Sequence, residues 1–366
     1  MSKLRIGILS TAGIGRQNWK AIFNSGNAIV TAVASRDAGR SREFIRENQR
    51  EFPFTAEPAA FGSYEELLAS SVVDAVYIPL PTGLRKEWVL RAAAAGKHVI
   101  CEKPCGVSLA DVREMTDACR KNRVQFMDGV MFMHNPRLSR IREVLDDGRS
   151  VGAVRRIASA FSFLGGGDFS RANIRVDGQL EPYGSLGDLG WYCIRFTLWT
   201  MNWQLPRTVT GRILSQSEPP GGRKPAPTEF SAELFFDNGV SAGFYASFLA
   251  TQQQWVFVSG VNGWVWVPDF VHPYNSREPA FEVNRTEIRI REAGADKRQT
   301  SLPESGELGH ASAQNTIMFR NFANQVFSGK LNEEWPMWAL KTQQVLEACF
   351  KSAQRPGKPM KLECGL

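Results

Sequence analysis

Between residues 4 and 127 the chain alternates short apolar runs with longer amphipathic ones, and this alternation restricts the fold more than any other feature. Leu4–Ser10, Ile29–Ser35, Val73–Leu80, His98–Glu102 and Val124–Met127 are short and mostly apolar, as strands buried on both faces must be. Ile14–Asn24, Ala38–Phe52, Leu84–Ala95 and Ser108–Asn122 repeat their apolar residues with the roughly 3.6-residue period of a helix. Gly96 follows one of them where a helix-ending glycine belongs. Strands that alternate with helices build a parallel sheet covered on both faces, and such sheets bind ligands beyond the carboxyl ends of their strands.

The pattern changes after a further helical run at Pro136–Asp146. Val154–Phe163, Phe230–Phe236, Val240–Phe248 and Thr286–Glu292 alternate apolar with polar residues, which is the pattern of strands with one wet face. Asp237-Asn238-Gly239 is a hairpin signal between two of these runs, and the Pro- and Gly-rich stretch from Glu218 to Pro227 is a loop. Two late helical runs, at about 311–328 and 336–353, close the chain. With 366 residues there is length for two cores. The second is expected to be an α+β domain with a large, mostly antiparallel open sheet.

Composition removes several classes of function. Hydrophobic content of 43% and charged content of 22% are ordinary for a globular chain, and no apolar stretch approaches the ~18 residues of a membrane span. No membrane partner is expected. The first apolar run is too short for a signal-peptide core and leads straight into a glycine turn, so a cytoplasmic location is expected. The six cysteines, at 101, 105, 119, 193, 349 and 364, form no C-x-x-C pair, and no histidine stands at ligand spacing. Reduced thiols and no metal site follow as expectations. The net charge is +7, but basic and acidic residues alternate along helical runs such as Arg40–Arg50. That is a solvated helix face, and no nucleic-acid partner is expected.

The first strand ends in Gly7-Ile-Leu-Ser-Thr-Ala-Gly-Ile-Gly15, where a dinucleotide fingerprint G-x-G-x-x-G belongs, with Ser10, Ala12 and Gly15 on the glycine positions. The turn keeps what the motif requires: small side chains, extra freedom at Gly13, and helix N–H groups that face a pyrophosphate. A sheet of this class without nucleotide is the alternative. The next strand ends in Ala34-Ser35-Arg36-Asp37. An NAD-selective tip places an acid there for the ribose hydroxyls, whereas Ser35 followed by Arg36 suits a 2′-phosphate. NADP is the expected cofactor, with NAD as the alternative, and Asp37 suits a helix N-cap. Residues 1–126 are therefore expected to form an α/β Rossmann-type NAD(P)-binding domain, and 127–366 a substrate-binding and oligomerisation domain. An open sheet face needs covering, so a homodimer or homotetramer through that face is expected.

In the run from His98 to Cys105 a short strand delivers an amine, Lys103, to the carboxyl edge of the sheet and then a proline. A surface lysine in a loop is the alternative reading. A second constellation is Gly184-Ser-Leu-Gly-Asp-Leu-Gly-Trp-Tyr-Cys-Ile-Arg195. Ser185 and Asp188 read as a helix start of the S-x-x-D kind. Asp188, Tyr192 and Arg195 then recur at i, i+4 and i+7 on one face of one helix. Asp188 as a cap and Tyr192 as packing are the structural alternatives. A phenol flanked by a carboxylate and served by a distant lysine is a competent proton relay between an alcohol and a ketone. Arg175, in the loop before this helix, suits substrate hydroxyls or a phosphate. His134, Trp191 and Trp199 read as structural.

Along nearly its whole length the chain resembles the glucose-fructose oxidoreductase/inositol dehydrogenase (Gfo/Idh/MocA) family. The resemblance is carried by Gly7–Gly15, Ala34–Asp37, Tyr77-Ile-Pro-Leu-Pro81, Gly96-Lys-His-Val99, Glu102-Lys-Pro104 and Asp188-x-Gly190-x-Tyr192. The tyrosine version of the last motif resembles the branch of glucose-fructose oxidoreductase and dimeric dihydrodiol dehydrogenase. The resemblance implies an NAD(P)-dependent oxidoreductase acting on a carbinol carbon of a sugar, cyclitol or dihydrodiol. It implies that Lys103 and Tyr192 handle the proton and that Asp188 orients or binds substrate. It implies cofactor contacts at Ser10, Thr11, Ala12, Gly13 and Ile14, at Ser35 and Arg36, at Leu80, Thr82 and Arg85, and at Glu102 and Lys103. A cis Lys103–Pro104 bond is also implied. The chain departs from the family pattern at Ser10 and Ala12, at Arg85 where many relatives have histidine, and at Asp128. A dinucleotide sensor without turnover and an NAD-dependent glycosidase are the rival functions that the same family fold serves.

Overall fold

In the computed structural model, the parallel sheet expected from the alternating runs is present with six strands: β1 (Leu4–Leu9), β2 (Ala28–Ala34), β3 (Ala59–Phe61), β4 (Ala75–Ile78), β5 (His98–Cys101) and β6 (Phe126–Asp128). Their order is β3-β2-β1-β4-β5-β6, and all neighbours are parallel. The central strands are buried on both faces through Ile6, Ile8, Val76, Tyr77, Val99 and Ile100, which is why they read as unbroken apolar runs. Helices span Gly13–Ser25, Ala38–Glu51, Thr82–Ala94 and Leu109–Lys121. β3 and the helix Tyr64–Ala69 are additional to the sequence reading, being too short to show a period.

The described residues are 2–167, 169, 173–219, 221, 223–273, 280–289, 292–301, 313–355 and 357–362. Cys364, residues 220 and 222 of the predicted loop, 290 and 291 of a predicted strand, and 311 and 312 of a predicted helix lie outside them. The chain divides into two units, Met1–Asn135 with Gly306–Leu340, and Pro136–Ser305 with Lys341–Leu366. The helix Gln314–Phe327 follows the second unit's strands in sequence but packs within the first: Arg320 Nε donates to the Ser25 carbonyl at 3.0 Å, and Asn27 Nδ2 to the Arg320 carbonyl at 3.0 Å.

The second unit is built on a nine-stranded sheet. Its strands are β7 (Val154–Ser162), β8 (Thr208–Gln216), β9 (Pro227–Phe235), β10 (Ser241–Ser247), β11 (Gln253–Gly260), β12 (Trp264–Val267), β13 (Ala280–Arg289), β14 (Glu292–Ser301) and β15 (Met360–Lys361). The order is β14-β13-β12-β11-β7-β10-β9-β8-β15, antiparallel throughout except where β10 runs parallel to β7. One face buries Ile157, Phe161, Phe230, Leu234, Phe244, Val256, Val258 and Val265. The opposite face carries half-buried aromatic rings, Trp255 against Trp266 at 5.4 Å and Phe257 against Trp264 at 5.1 Å. Among the described residues no helix is long and apolar enough to cross a membrane, and no group of three His, Cys, Asp or Glu side chains is placed to hold a metal.

Candidate active site

In the six-stranded sheet the chain leaves β1 toward β2 on one side and β4 lies on the other, so the strand order reverses between β1 and β4. Loops after those two strands diverge and leave a crevice at their carboxyl ends. The helices that begin there, Gly13–Ser25 and Thr82–Ala94, start from Ala12 and Pro81 with no side-chain cap and no acid in the first turn. The helices after β2 and β5 are capped by Asp37 and Ser108. Two helix starts that lack a side-chain cap thus stand at the switch point, where their N–H groups and dipoles suit an anion. A Cβ added at Gly13 would meet nothing within 4 Å, so the space over the first turn is open. These features fit the pyrophosphate of a dinucleotide.

The turn is not made as the sequence suggests, because the conformational freedom lies at Ser10 and not at Gly13. Ser10 has φ 139°, a region that favours glycine. Its Oγ accepts the Ala12 N–H at 3.2 Å and donates to the Pro79 carbonyl at 3.4 Å, which offsets part of the strain and ties the β1 tip to the β4 tip. Gly15 is needed for packing: a Cβ there would lie 3.2 Å from Phe44 Cζ. Thr11 is half-buried, and Ile14 is exposed.

At the β2 tip the Ser35 hydroxyl donates to the Asp37 carbonyl at 2.6 Å and accepts the Asp37 N–H at 3.2 Å. Asp37 caps the next helix by accepting the Gly39 N–H at 2.7 Å. Ser35 thus shapes the turn, and Arg36 is left exposed at its apex. At the β4 and β5 tips, Leu80, Thr82 and Glu102 are buried and Lys103 is half-buried. Arg85 is buried with its guanidinium committed to backbone: Nε donates to the Leu80 carbonyl at 2.7 Å, and Nη1 to the Glu102 carbonyl at 3.0 Å and to that of Pro104. Thr82 Oγ1 also donates to the Pro104 carbonyl. The Lys103–Pro104 bond is cis. Arg85 therefore grips the chain on both sides of Lys103.

The other predicted cluster lies in the second unit, and its helix differs from the expected one. Ser185 is already helical, with φ −63° and ψ −33°, is buried, and makes no capping bond. Residues Leu186–Gly190 are wound as a π-turn that runs into the α-helix Trp191–Thr200. A π-turn carries an extra residue, so the i, i+4, i+7 face is broken. Gly190 permits the turn to press on β10, since a Cβ there would lie 3.2 Å from Phe244 Cε2. Arg195 consequently faces the core. It is 0% exposed, its Nε donates to Thr342 Oγ1 at 2.7 Å, and its guanidinium lies 5.7 Å from the Trp191 ring.

Asp188 pairs instead with Arg175, whose Nε donates to Asp188 Oδ2 at 2.8 Å. Asn173 Oδ1 holds the Arg175 N–H at 3.0 Å, and the turn is fastened by Ser217 Oγ donating to the Val176 carbonyl at 2.7 Å. The Asp188 carboxylate, and less strongly those of Glu181 and the Tyr192 phenol, hold the Arg175 guanidinium above its ordinary pKa against the effect of burial. Arg175, Asp188 and Tyr192 thus share one electrostatic neighbourhood. Tyr192 is buried with Phe161 edge-on at 5.5 Å, and His272 lies 6.4 Å beyond Phe161. Phe161 and His272 escaped the sequence reading, because a strand phenylalanine and a loop histidine carry no local signal of a site.

A family model described as the oxidoreductase family with an NAD-binding Rossmann fold matches residues 4–130, and a GFO/IDH/MocA C-terminal domain model matches 138–266. A D-xylose 1-dehydrogenase (NADP(+)) of Haloferax volcanii is 33% identical over 265 residues, 71% of this chain and 74% of that protein. The chain belongs to the Gfo/Idh/MocA oxidoreductase family. Mouse trans-1,2-dihydrobenzene-1,2-diol dehydrogenase is 33% identical over 71% of the chain and 73% of that protein. Among solved structures, a mutant 3-ketoreductase from Actinomadura kijaniata in complex with TDP-benzene and NADP has a TM-score of 0.79 at 25% identity, covering 96% of this chain and 98% of that one. This Gfo/Idh/MocA member is thus an enzyme of the dehydrogenase and reductase kind, with a nicotinamide dinucleotide as its cofactor.

Proposed function

We propose that the chain is an NADP-dependent dehydrogenase or reductase of a carbinol carbon in a sugar, cyclitol or dihydrodiol. The observation that carries this reading is the Arg175–Asp188 pair, 2.8 Å between Nε and Oδ2, in the same neighbourhood as Tyr192. When bound, the nicotinamide supplies the hydride acceptor or donor. Tyr192 Oη takes the proton of the substrate hydroxyl in the oxidation direction and returns it in reduction. The Lys103 ammonium supplies the positive charge that favours a phenolate or alkoxide. Asp188, fixed by Arg175, accepts a hydrogen bond from a second substrate hydroxyl and so orients the sugar or diol. Because Asp188 neutralises Arg175, the site favours neutral polyols over phosphate esters.

The helix starts at Ala12 and Pro81 would hold the pyrophosphate, and Arg36, exposed at the β2 tip where the Asp37 carboxylate is committed to a helix cap, would hold a 2′-phosphate; that exposure supports NADP in preference to NAD. The segment 1–126 carries the cofactor and 127–366 the substrate groups and the subunit contact. Lys103→Met and Tyr192→Phe should each lower turnover by about 10²-fold or more while dinucleotide affinity is retained. The assay is nicotinamide absorbance over a panel of sugars and diols. Full turnover in either variant removes that residue from the mechanism, and dinucleotide binding without turnover across the panel would favour a sensor.

A further inference from the structure

Lys103 stands on a buried polar framework that the proposed chemistry does not use. β4 and β5 are parallel with Tyr77 opposite Ile100, so Glu102, two residues on, lies on the same side of the sheet as Tyr77. Tyr77 is fully buried. Its Oη donates to Glu102 Oε1 at 2.6 Å and accepts from Asn18 Nδ2 at 2.6 Å. Asn18 Oδ1 accepts from Asn315 Nδ2 at 3.4 Å, and Phe319 meets the Tyr77 ring edge-on at 5.8 Å. The second carboxylate oxygen, Glu102 Oε2, accepts the Lys103 N–H at 3.3 Å. Glu102 also lies against Gly129, where a Cβ would come within 3.0 Å of Oε1.

We propose that Tyr77 is a positioning residue for Lys103, acting through the Glu102 carboxylate. Burial, and then the charge on Glu102, push the Tyr77 phenol well above its ordinary pKa, so it serves as a lasting donor. A buried carboxylate deprived of that donor turns to find another, because an unmet buried charge is costly. Its turning releases the Lys103 N–H. Arg85 grips the carbonyls of Glu102 and Pro104, while Tyr77 and Glu102 grip the intervening N–H, and together they fix the backbone from which the lysine projects. The support reaches the helix Gln314–Phe327 through Asn315, so a segment distant in sequence sets the position of an amine at the β5 tip.

The inference rests on Lys103 being the reacting amine, and a double-mutant cycle separates the two claims. Tyr77→Phe keeps the ring and deletes the donor. It should lower kcat by about 10-fold, a misplacement effect, with the NADP Kd within about 3-fold by protein fluorescence. The loss should vanish when Tyr77→Phe is made in the Lys103→Met background, because the two residues act as one unit. Independently of turnover, trace acetylation followed by peptide mass spectrometry should show the Lys103 rate altered about 3-fold or more relative to Lys97 and Lys121. Asn18→Ala, one bond further back, should act in the same direction by about 2–5-fold and cover the case in which Tyr77→Phe does not fold. Equal losses in both backgrounds, or full turnover with unchanged Lys103 labelling, overturn the positioning role. An inactive Lys103→Met beside a fully active Tyr77→Phe overturns it while leaving the lysine's own role intact. Full turnover in Lys103→Met removes both.

Discussion

Arg36 is the residue on which the proposed cofactor preference turns. Ser35 spends its hydroxyl on Asp37, and the Asp37 carboxylate caps a helix, so the exposed guanidinium is the group at this tip suited to a phosphate. A charge-assisted hydrogen bond contributes about 1.5–3 kcal/mol. Arg36→Ala should therefore raise the KM for NADP by about 10- to 100-fold and change that for NAD by less than about 2-fold. Steady-state kinetics with both dinucleotides test this, and equal changes for the two would show that Arg36 does not read the phosphate. The same residue-scale logic explains Ser10. Its strained φ is tolerable because its own hydroxyl answers the Ala12 N–H, a compensation that a glycine-based motif does not anticipate.

At the scale of elements, the helix Arg137–Asp146 is fastened to the second unit by a buried ion pair. Arg137 Nη1 donates to Asp269 Oδ1 at 2.6 Å and Nη2 to the Asp269 carbonyl at 2.9 Å, with side-chain exposures of 3% and 1%. Removing the carboxylate strands a buried guanidinium, so Asp269→Ala should cost about 3–5 kcal/mol in urea unfolding. Asp74→Asn breaks the more exposed pair with Arg5 and should cost no more than about 1 kcal/mol. Comparable losses would show that burial is not what sets the scale. Most elements were legible in the sequence because their period reports burial: β1, β2, β4 and β5 as apolar runs, and β7, β9 and β10 as alternating ones. The π-turn at Leu186–Gly190 was not. It packs with Gly190 close against Phe244, a contact between residues far apart in sequence that no local pattern reports. The capping pattern at Ser185 was misread for the same reason, and Arg195, expected beside Asp188, went to the core.

At the scale of the molecule, the nine-stranded sheet buries one face and leaves Trp255, Phe257, Trp264 and Trp266 half-buried on the other. Aromatic rings on a solvated sheet face suit the centre of a subunit interface. The proposed homodimer or homotetramer through this face should give a multiple of the monomer mass in light scattering, and Trp266→Glu should shift the protein toward monomer. A monomeric wild type would sink that assembly. The sequence by itself determined the two architectures, the place of the switch-point turn and the identity of the chemical groups, because periodicity and local motifs are short-range properties. Only the tertiary structure decided which groups keep company: Asp188 with Arg175 and not with Arg195, Arg85 with three carbonyls, and Tyr77 with Glu102. A side chain's partner is set by which elements close over it and by the cost of leaving a buried polar group unmet, and neither quantity is written in any local stretch of chain.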